Sequence, residues 1–217
     1  MAKIISVIQL KGGSGKSTLS TNLVGALAMR GLKVGLIDAD QPQNTSGSWA
    51  AIRHAAMPLL EGHQLLLHRP KDAKELIQAA RAMDAAADWI VIDLPPRLHE
   101  ISRAALMLSD LAIMPVSPSA AELWAVQDML ELIARAKEKK PDLRALLLWN
   151  KYRPSKAATA AIEALEQMGL DRLDSTLSQR QAYSDALGRG LTVLESTDTK
   201  AKQELEALLT EIQEKTA

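Results

Sequence analysis

The amino-acid sequence predicts an α/β protein built on a mostly parallel, twisted sheet with helices on both faces. Short apolar, β-branched runs recur along the chain, separated by stretches of helical periodicity. That alternation is the pattern of strands buried on both sides by crossover helices. Asp38, Asp40, Asp93 and a glycine-rich loop all follow directly on such runs. They therefore lie at the carboxyl ends of strands, where open α/β sheets bind ligands.

Residues 4–8 form the first run and enter the glycine cluster; from Ser17 the apolar positions Leu19, Leu23, Ala26 and Leu27 share a helical face that Gly31 ends. Strands are expected next at 34–37, 89–92, 111–116 and 145–149. Helices are expected at 74–81, 101–107, 122–139, 156–168, 180–187 and 200–214. Lys137, Lys139 and Lys140 suit a helix C-terminus, where cations complement the dipole.

The 217 residues carry 26 Lys+Arg against 26 Asp+Glu, are 47% hydrophobic and 3% aromatic, and include no Cys and no Phe. At roughly 150 residues per domain, residues 1–217 read as a single domain. The strand-like run that starts at Lys3 leaves no room for a separate domain before the first core element. Zero cysteines exclude disulfides, thiolate zinc sites, iron–sulfur clusters and Cys nucleophiles, and suit a reducing compartment. Zero net charge and few aromatics argue, in bulk, against a nucleic-acid partner. No stretch reaches the roughly 20 apolar residues of a membrane span. His54, His63, His68 and His99 lack metal-site spacing, and Trp49, Trp89, Trp124 and Trp149 read as core or interface residues.

Lys11-Gly12-Gly13-Ser14-Gly15-Lys16-Ser17-Thr18 stands between a strand and a helix, where a phosphate-binding loop must sit. Glycines let successive backbone N–H groups converge on phosphate oxygens, the helix N-terminus adds partial positive charge, Lys16 neutralises the β- and γ-phosphates, and Ser17 supplies a Mg²⁺ ligand. Leu10 replaces the usual first glycine, and Lys11 occupies a position that ordinary phosphate loops do not reserve for lysine. Thr18 stands where a dinucleotide fingerprint needs its third glycine. Among the carboxylates, Asp93 is assigned to the hydration shell of Mg²⁺ and Asp40 to the attacking water; Asp38 is interchangeable with Asp40 and joins Ser17 and Asp93 in the metal set. Capping of the following helices is the simpler alternative for all three acids. Gln9 reads as a plain strand end.

With Asp93-Leu94-Pro95-Pro96 and Pro115-Val116-Ser117-Pro118-Ser119, these motifs resemble the deviant-Walker ATPases of the ParA/MinD family. Residues 177–183 and 190–196 are similar to the C-terminal region of its small ParF-like members, which lack an N-terminal DNA-binding domain. The resemblance implies a single-domain P-loop NTPase that hydrolyses ATP with Mg²⁺ as a homodimer enclosing ATP, Lys11 of each subunit reaching the partner's phosphates. Lys11, Lys16 and Asp40 would then carry the chemistry, residues 11–18 would hold the nucleotide, and Asn150, also a plausible turn former, would contact adenine. It further implies non-specific DNA binding by the ATP-bound dimer and release through hydrolysis stimulated by a ParB-like or adaptor protein. The location implied is cytoplasmic, on the nucleoid when ATP is bound. Cargo would be plasmid or chromosomal DNA, or a protein assembly such as carboxysomes or chemotaxis clusters. One departure is the run Asp38-Ala39-Asp40-Gln41-Pro42-Gln43, a residue longer than the family's Asp-x-Asp-Pro-Gln.

DNA contacts must be local: Lys151, Arg153 and Lys156 form one basic run, and Arg180 and Arg189 bracket a helix. Phosphate contacts alone suffice for sequence-independent binding. In the last helix Leu205, Leu208, Leu209 and Ile212 make an apolar stripe, but its acidic flank of Glu204, Glu206, Glu211 and Glu214 would be repelled by an anionic bilayer. That stripe is expected on the sheet, with no membrane partner. A metabolic ligase of the same fold would need an acceptor-substrate domain that the short chain does not show, and a non-hydrolysing nucleotide switch is the third class.

Overall fold

The computed structural model describes residues 1–56, 65–97 and 100–216. His63 and His99, and the side chain of Trp124, lie outside the described residues. Seven strands run β1 (Lys3–Val7), β2 (Val34–Asp38), β3 (Leu66–His68), β4 (Trp89–Asp93), β5 (Leu111–Val116), β6 (Arg144–Tyr152) and β7 (Arg172–Ser178). They form one sheet in the order β3-β2-β4-β1-β5-β6-β7, with every pairing parallel. The helices are α1 (Lys16–Met29), α2 (Thr45–Ala56), α3 (Ala73–Asp84), α4 (Glu100–Leu108), α5 (Ala120–Lys139), α6 (Lys156–Glu166), α7 (Gln181–Gly188) and α8 (Thr199–Lys215).

Alternate strand residues feed two cores, as the two-residue repeat of a strand requires. Ile5, Val7, Leu36, Val91, Ile113 and Leu148 meet α1, α2, α7 and α8 on one face. Ile37, Ile90, Ile92, Met114 and Leu147 meet α3, α4, α5 and α6 on the other. Leu205, Leu208, Leu209 and Ile212 of α8 are fully buried in the first of these cores, which bears out the sheet-packing expectation for that stripe. Its acidic residues have a further use. Glu211 accepts the backbone N–H groups of Asp174 and Ser175, and Glu204 accepts that of Ser178. These bonds occupy the otherwise open edge of β7.

Five strand regions and all seven helices expected from periodicity are present; β3, β7 and α2 are additions. The helix expected at 180–187 begins one residue later, with Arg180 as its N-cap, and that expected at 156–168 ends at Glu166. Because β1 lies between β4 and β5 while its own crossover leads to β2, the strand order reverses there. The carboxyl ends of β1, β2, β4 and β5 converge at this switch point.

Candidate nucleotide site

The glycine loop leaves β1 at that point and is braced from behind. Gln9, expected to be a plain strand end, is fully buried; its Oε1 accepts the N–H groups of Leu10 and Lys11 at 2.8 and 3.4 Å, and its Nε2 donates to the Pro115 carbonyl at 3.5 Å. Gly13 and Gly15 adopt φ of 76° and 92°, a left-handed backbone that side chains resist. A Cβ on Gly15 would also stand 2.4 Å from Asn150 Nδ2. Lys16, only 5% exposed, begins α1, and its Nζ reaches back to the Lys11 carbonyl at 3.5 Å. Among the described residues, no backbone N–H of residues 12–18 meets an acceptor. No acidic residue occupies the first turn of α1. Converging free N–H groups at a helix N-terminus favour an anion.

The carboxylates divide into different tasks. Asp38, expected in the metal set, is fully buried with both oxygens engaged: Oδ1 accepts the Asp40 N–H at 3.1 Å and Oδ2 the Gly47 N–H at 2.7 Å. These two bonds hold the loop after β2. Asp93 is fully buried, accepts the Ser46 hydroxyl on Oδ2 at 2.9 Å, and keeps Oδ1 without a donor. Burial pushes its carboxyl up to about 7, against the pull of Ser17 beside it, while Asp38 adds to the rise and Ser46 and Lys16 oppose it. Asp40 is also raised by burial, with Lys16 opposing and Asp38 adding. Burial lowers the Lys16 ammonium from its ordinary value, with Asp93 and then Asp40 pulling it back. A buried carboxylate oxygen with no donor, next to the Ser17 hydroxyl, suits a hard cation that takes few protein ligands, as Mg²⁺ does.

The longer loop after Asp40 closes as a turn, the Asn44 N–H donating to the Asp40 carbonyl at 2.9 Å, with a cis Gln41–Pro42 peptide and Asn44 at φ 49°. It delivers Ser46 and Gly47 of α2 onto Asp93 and Asp38. The far end of α2 is tied to the C-terminal region. Trp49 Nε1 donates to the Leu191 carbonyl at 2.9 Å, and Arg53 pairs with Glu195 at 2.9 Å.

Lys11 does not face its own loop. Its Nζ lies 2.9 Å from Glu122 Oε1 on α5, and Glu122 is buried with Oε2 unpartnered. Asn150, expected at adenine, uses its Nδ2 on the Ser14 carbonyl at 2.8 Å. Lys151, expected on DNA, bonds the Gly13 carbonyl at 2.6 Å. Arg180, expected on DNA, pairs with Asp198 at 3.1 Å and with Glu204 at 3.6 Å and so joins the start of α7 to α8. Arg153, Lys156 and Arg189 are exposed, with no carboxylate in ion-pair range among the described residues. Gln9, Ser46 and Glu122 are the site residues that sequence reasoning missed; only Glu122, the first acid of a predicted helix, carried any local signal. No group of three or more His, Asp or Glu side chains that could by itself hold a metal ion occurs among the described residues, and no described helix is long and apolar enough to cross a membrane.

Known proteins share this fold. A family model described as the CobQ/CobB/MinD/ParA nucleotide binding domain matches residues 5–193. The chain is 32% identical over 216 residues to maintenance of carboxysome distribution protein A of Halothiobacillus neapolitanus, covering 96% of this chain and 95% of that protein. It is 28% identical over 243 residues to protein IncC of Escherichia coli, covering 96% and 68%. Among solved structures, apo McdA of Cyanothece superimposes with a TM-score of 0.78 at 20% identity over 98% of this chain and 100% of that one. The septum site-determining protein MinD of Pyrococcus horikoshii, complexed with Mg-ADP, does so with a TM-score of 0.75 at 20% identity over 98% and 96%. A phosphate loop of open N–H groups, a buried lysine and a free carboxylate oxygen thus sit in a chain that belongs to the CobQ/CobB/MinD/ParA nucleotide-binding family and is an ATPase of its ParA/MinD type.

Proposed function

We propose that this chain is an ATP-driven positioning protein that dimerises around two Mg²⁺-bound ATP molecules, binds DNA without sequence preference and is released when a partner protein stimulates hydrolysis. The observation that carries the proposal is Lys11: it stands inside the phosphate loop, yet its ammonium group is turned to Glu122, 2.9 Å away, while the buried Lys16 reaches back to the loop. A cation in that place is spare in its own subunit. Delivered to the partner's phosphates it acts as an arginine finger does, stabilising charge on the transferring phosphoryl group and coupling hydrolysis to assembly. Lys16 and the loop amides hold the phosphates, Ser17 and Asp93 the cation, and Asp40 orients the water that displaces ADP from the γ-phosphorus.

Arg153, Lys156 and Arg189 are the cations offered to DNA. A dimer doubles them into a patch that a neutral monomer lacks, so opening of the dimer and release of DNA become one event. The test is fluorescence anisotropy on duplex DNA with ATP, with ADP and without nucleotide. Binding is expected with ATP only, weakening about 10³-fold between 50 and 200 mM salt for roughly six phosphate contacts. Equal binding in all three states, or a flat salt response, would overturn the proposal. In the cell this places the protein in the cytoplasm, on the nucleoid when ATP-bound.

The full-length likeness to a carboxysome distribution protein supports a protein assembly as cargo. The resemblance of residues 177–183 and 190–196 to small partition proteins supports a plasmid. Co-purification from the native host separates the two, by recovery of a shell adaptor or of a centromere-binding protein.

A further inference from the structure

We infer that Lys151 is a positioning residue of the nucleotide site, acting with Asn150 to aim two N–H groups of the phosphate loop at the nucleotide. In a trans peptide the C=O and N–H point in opposite directions. The Gly13 carbonyl shares its peptide with the Ser14 N–H, and the Ser14 carbonyl shares its peptide with the Gly15 N–H. Lys151 Nζ draws the first carbonyl outward at 2.6 Å, and Asn150 Nδ2 draws the second at 2.8 Å. Both N–H groups therefore turn the other way, into the loop, where neither has an acceptor among the described residues.

The end of β6 is shaped for this task. Consecutive residues of a strand point to opposite faces, so Asn150 and Lys151 reach one loop only if the chain leaves the extended conformation. It does so at Lys151, whose φ is 53°, within a register shift between Trp149 and Tyr152. A left-handed lysine is strained and persists where surrounding contacts fix it. The missing Cβ of Gly15 leaves the space: one would stand 2.4 Å from Asn150 Nδ2 and 3.7 Å from Lys151 Cε. The lysine is thereby withdrawn from the set of DNA contacts. This inference rests on the loop being the nucleotide site and requires neither dimerisation nor DNA.

Full-length Lys151→Met, which keeps the stem, and Lys151→Arg, which keeps charge and donor, are compared with the wild type by equilibrium titration of fluorescent ATP and ADP analogues without DNA. Lys151→Met is expected to weaken both nucleotides about tenfold, because the Ser14 N–H is no longer held toward them, and Lys151→Arg to recover most of it. The melting temperature without nucleotide should stay within about 2 °C of wild type, and DNA affinity at saturating ATP should be unchanged. Unaltered nucleotide affinity in Lys151→Met would overturn the inference, as would loss of DNA binding alone or an arginine variant no better than methionine. A wild-type protein that binds neither nucleotide would instead refute the loop as the site.

Discussion

Asp93→Asn isolates the energetic cost of keeping a carboxylate buried at the proposed metal site. Burial raises the Asp93 carboxyl from its ordinary 3.8 to about 7. The folded protein therefore holds a proton that the unfolded chain releases between those values, and stability contributed by this group falls as pH rises. The contribution is complete below the unfolded value, declines through the interval and levels off above the folded one. Three pKa units correspond to about 4 kcal/mol over the whole interval, of which about 2.5 kcal/mol lies between pH 5 and pH 8. Asparagine keeps an acceptor for the Ser46 hydroxyl and has no proton to lose. Urea unfolding of both proteins at pH 5 and pH 8, free of metal and nucleotide, should show Asp93→Asn gaining about 2 kcal/mol on the wild type across that range. Other carboxylates titrate alike in both proteins and cancel in the difference. A gap that does not change with pH would refute the claim that this carboxylate is held in a charge-hostile site. The same variant should lose Mg²⁺-dependent hydrolysis.

Glu122→Gln removes the negative charge that holds Lys11; because Lys11 is 40% exposed, stability should change by less than about 1 kcal/mol, whereas sedimentation velocity should show dimers at lower ATP. Gly190→Ala places a Cβ 2.6 Å from the Arg53 backbone nitrogen at a φ of 69°, and should cost about 2–3 kcal/mol in urea unfolding. Arg189→Ala should weaken DNA binding and flatten its salt slope. Arg180→Ala should leave the salt slope intact and lower the melting temperature, because Arg180 joins Asp198 and Glu204.

The central strands and the phosphate loop were legible because their signals are local. Residues 4–8 and 89–92 are apolar runs, and the glycines of the loop stand together in sequence. β7 escaped because an edge strand needs only one apolar face: Leu173 and Leu177 are buried, while Asp174 and Ser175 bond to α8. α2 escaped because Thr45, Ser46, Gly47 and Ser48 are poor helix formers, held by bonds to Asp93 and Asp38. The site residues that escaped act across long separations: Glu122 meets Lys11 across 111 positions, Gln9 meets Pro115 across 106 and Ser46 meets Asp93 across 47. The basic run at 151–156 was legible as charge, but charge alone could not divide Lys151, spent on the loop, from Arg153 and Lys156. Bulk neutrality excluded a strongly basic monomer and left open a patch completed by a second copy.

The trans action of Lys11 is tested most directly by mixing two variants that are inactive alone, Lys11→Ala and Asp40→Ala. In a mixed dimer one site keeps its own Asp40 and receives Lys11 from its partner, and the other site lacks both. With random pairing, the equimolar mixture should hydrolyse ATP at about a quarter of the wild-type rate. A mixture as inactive as its components, under conditions where sedimentation shows mixed dimers, would place Lys11 in its own subunit's site and contradict the account.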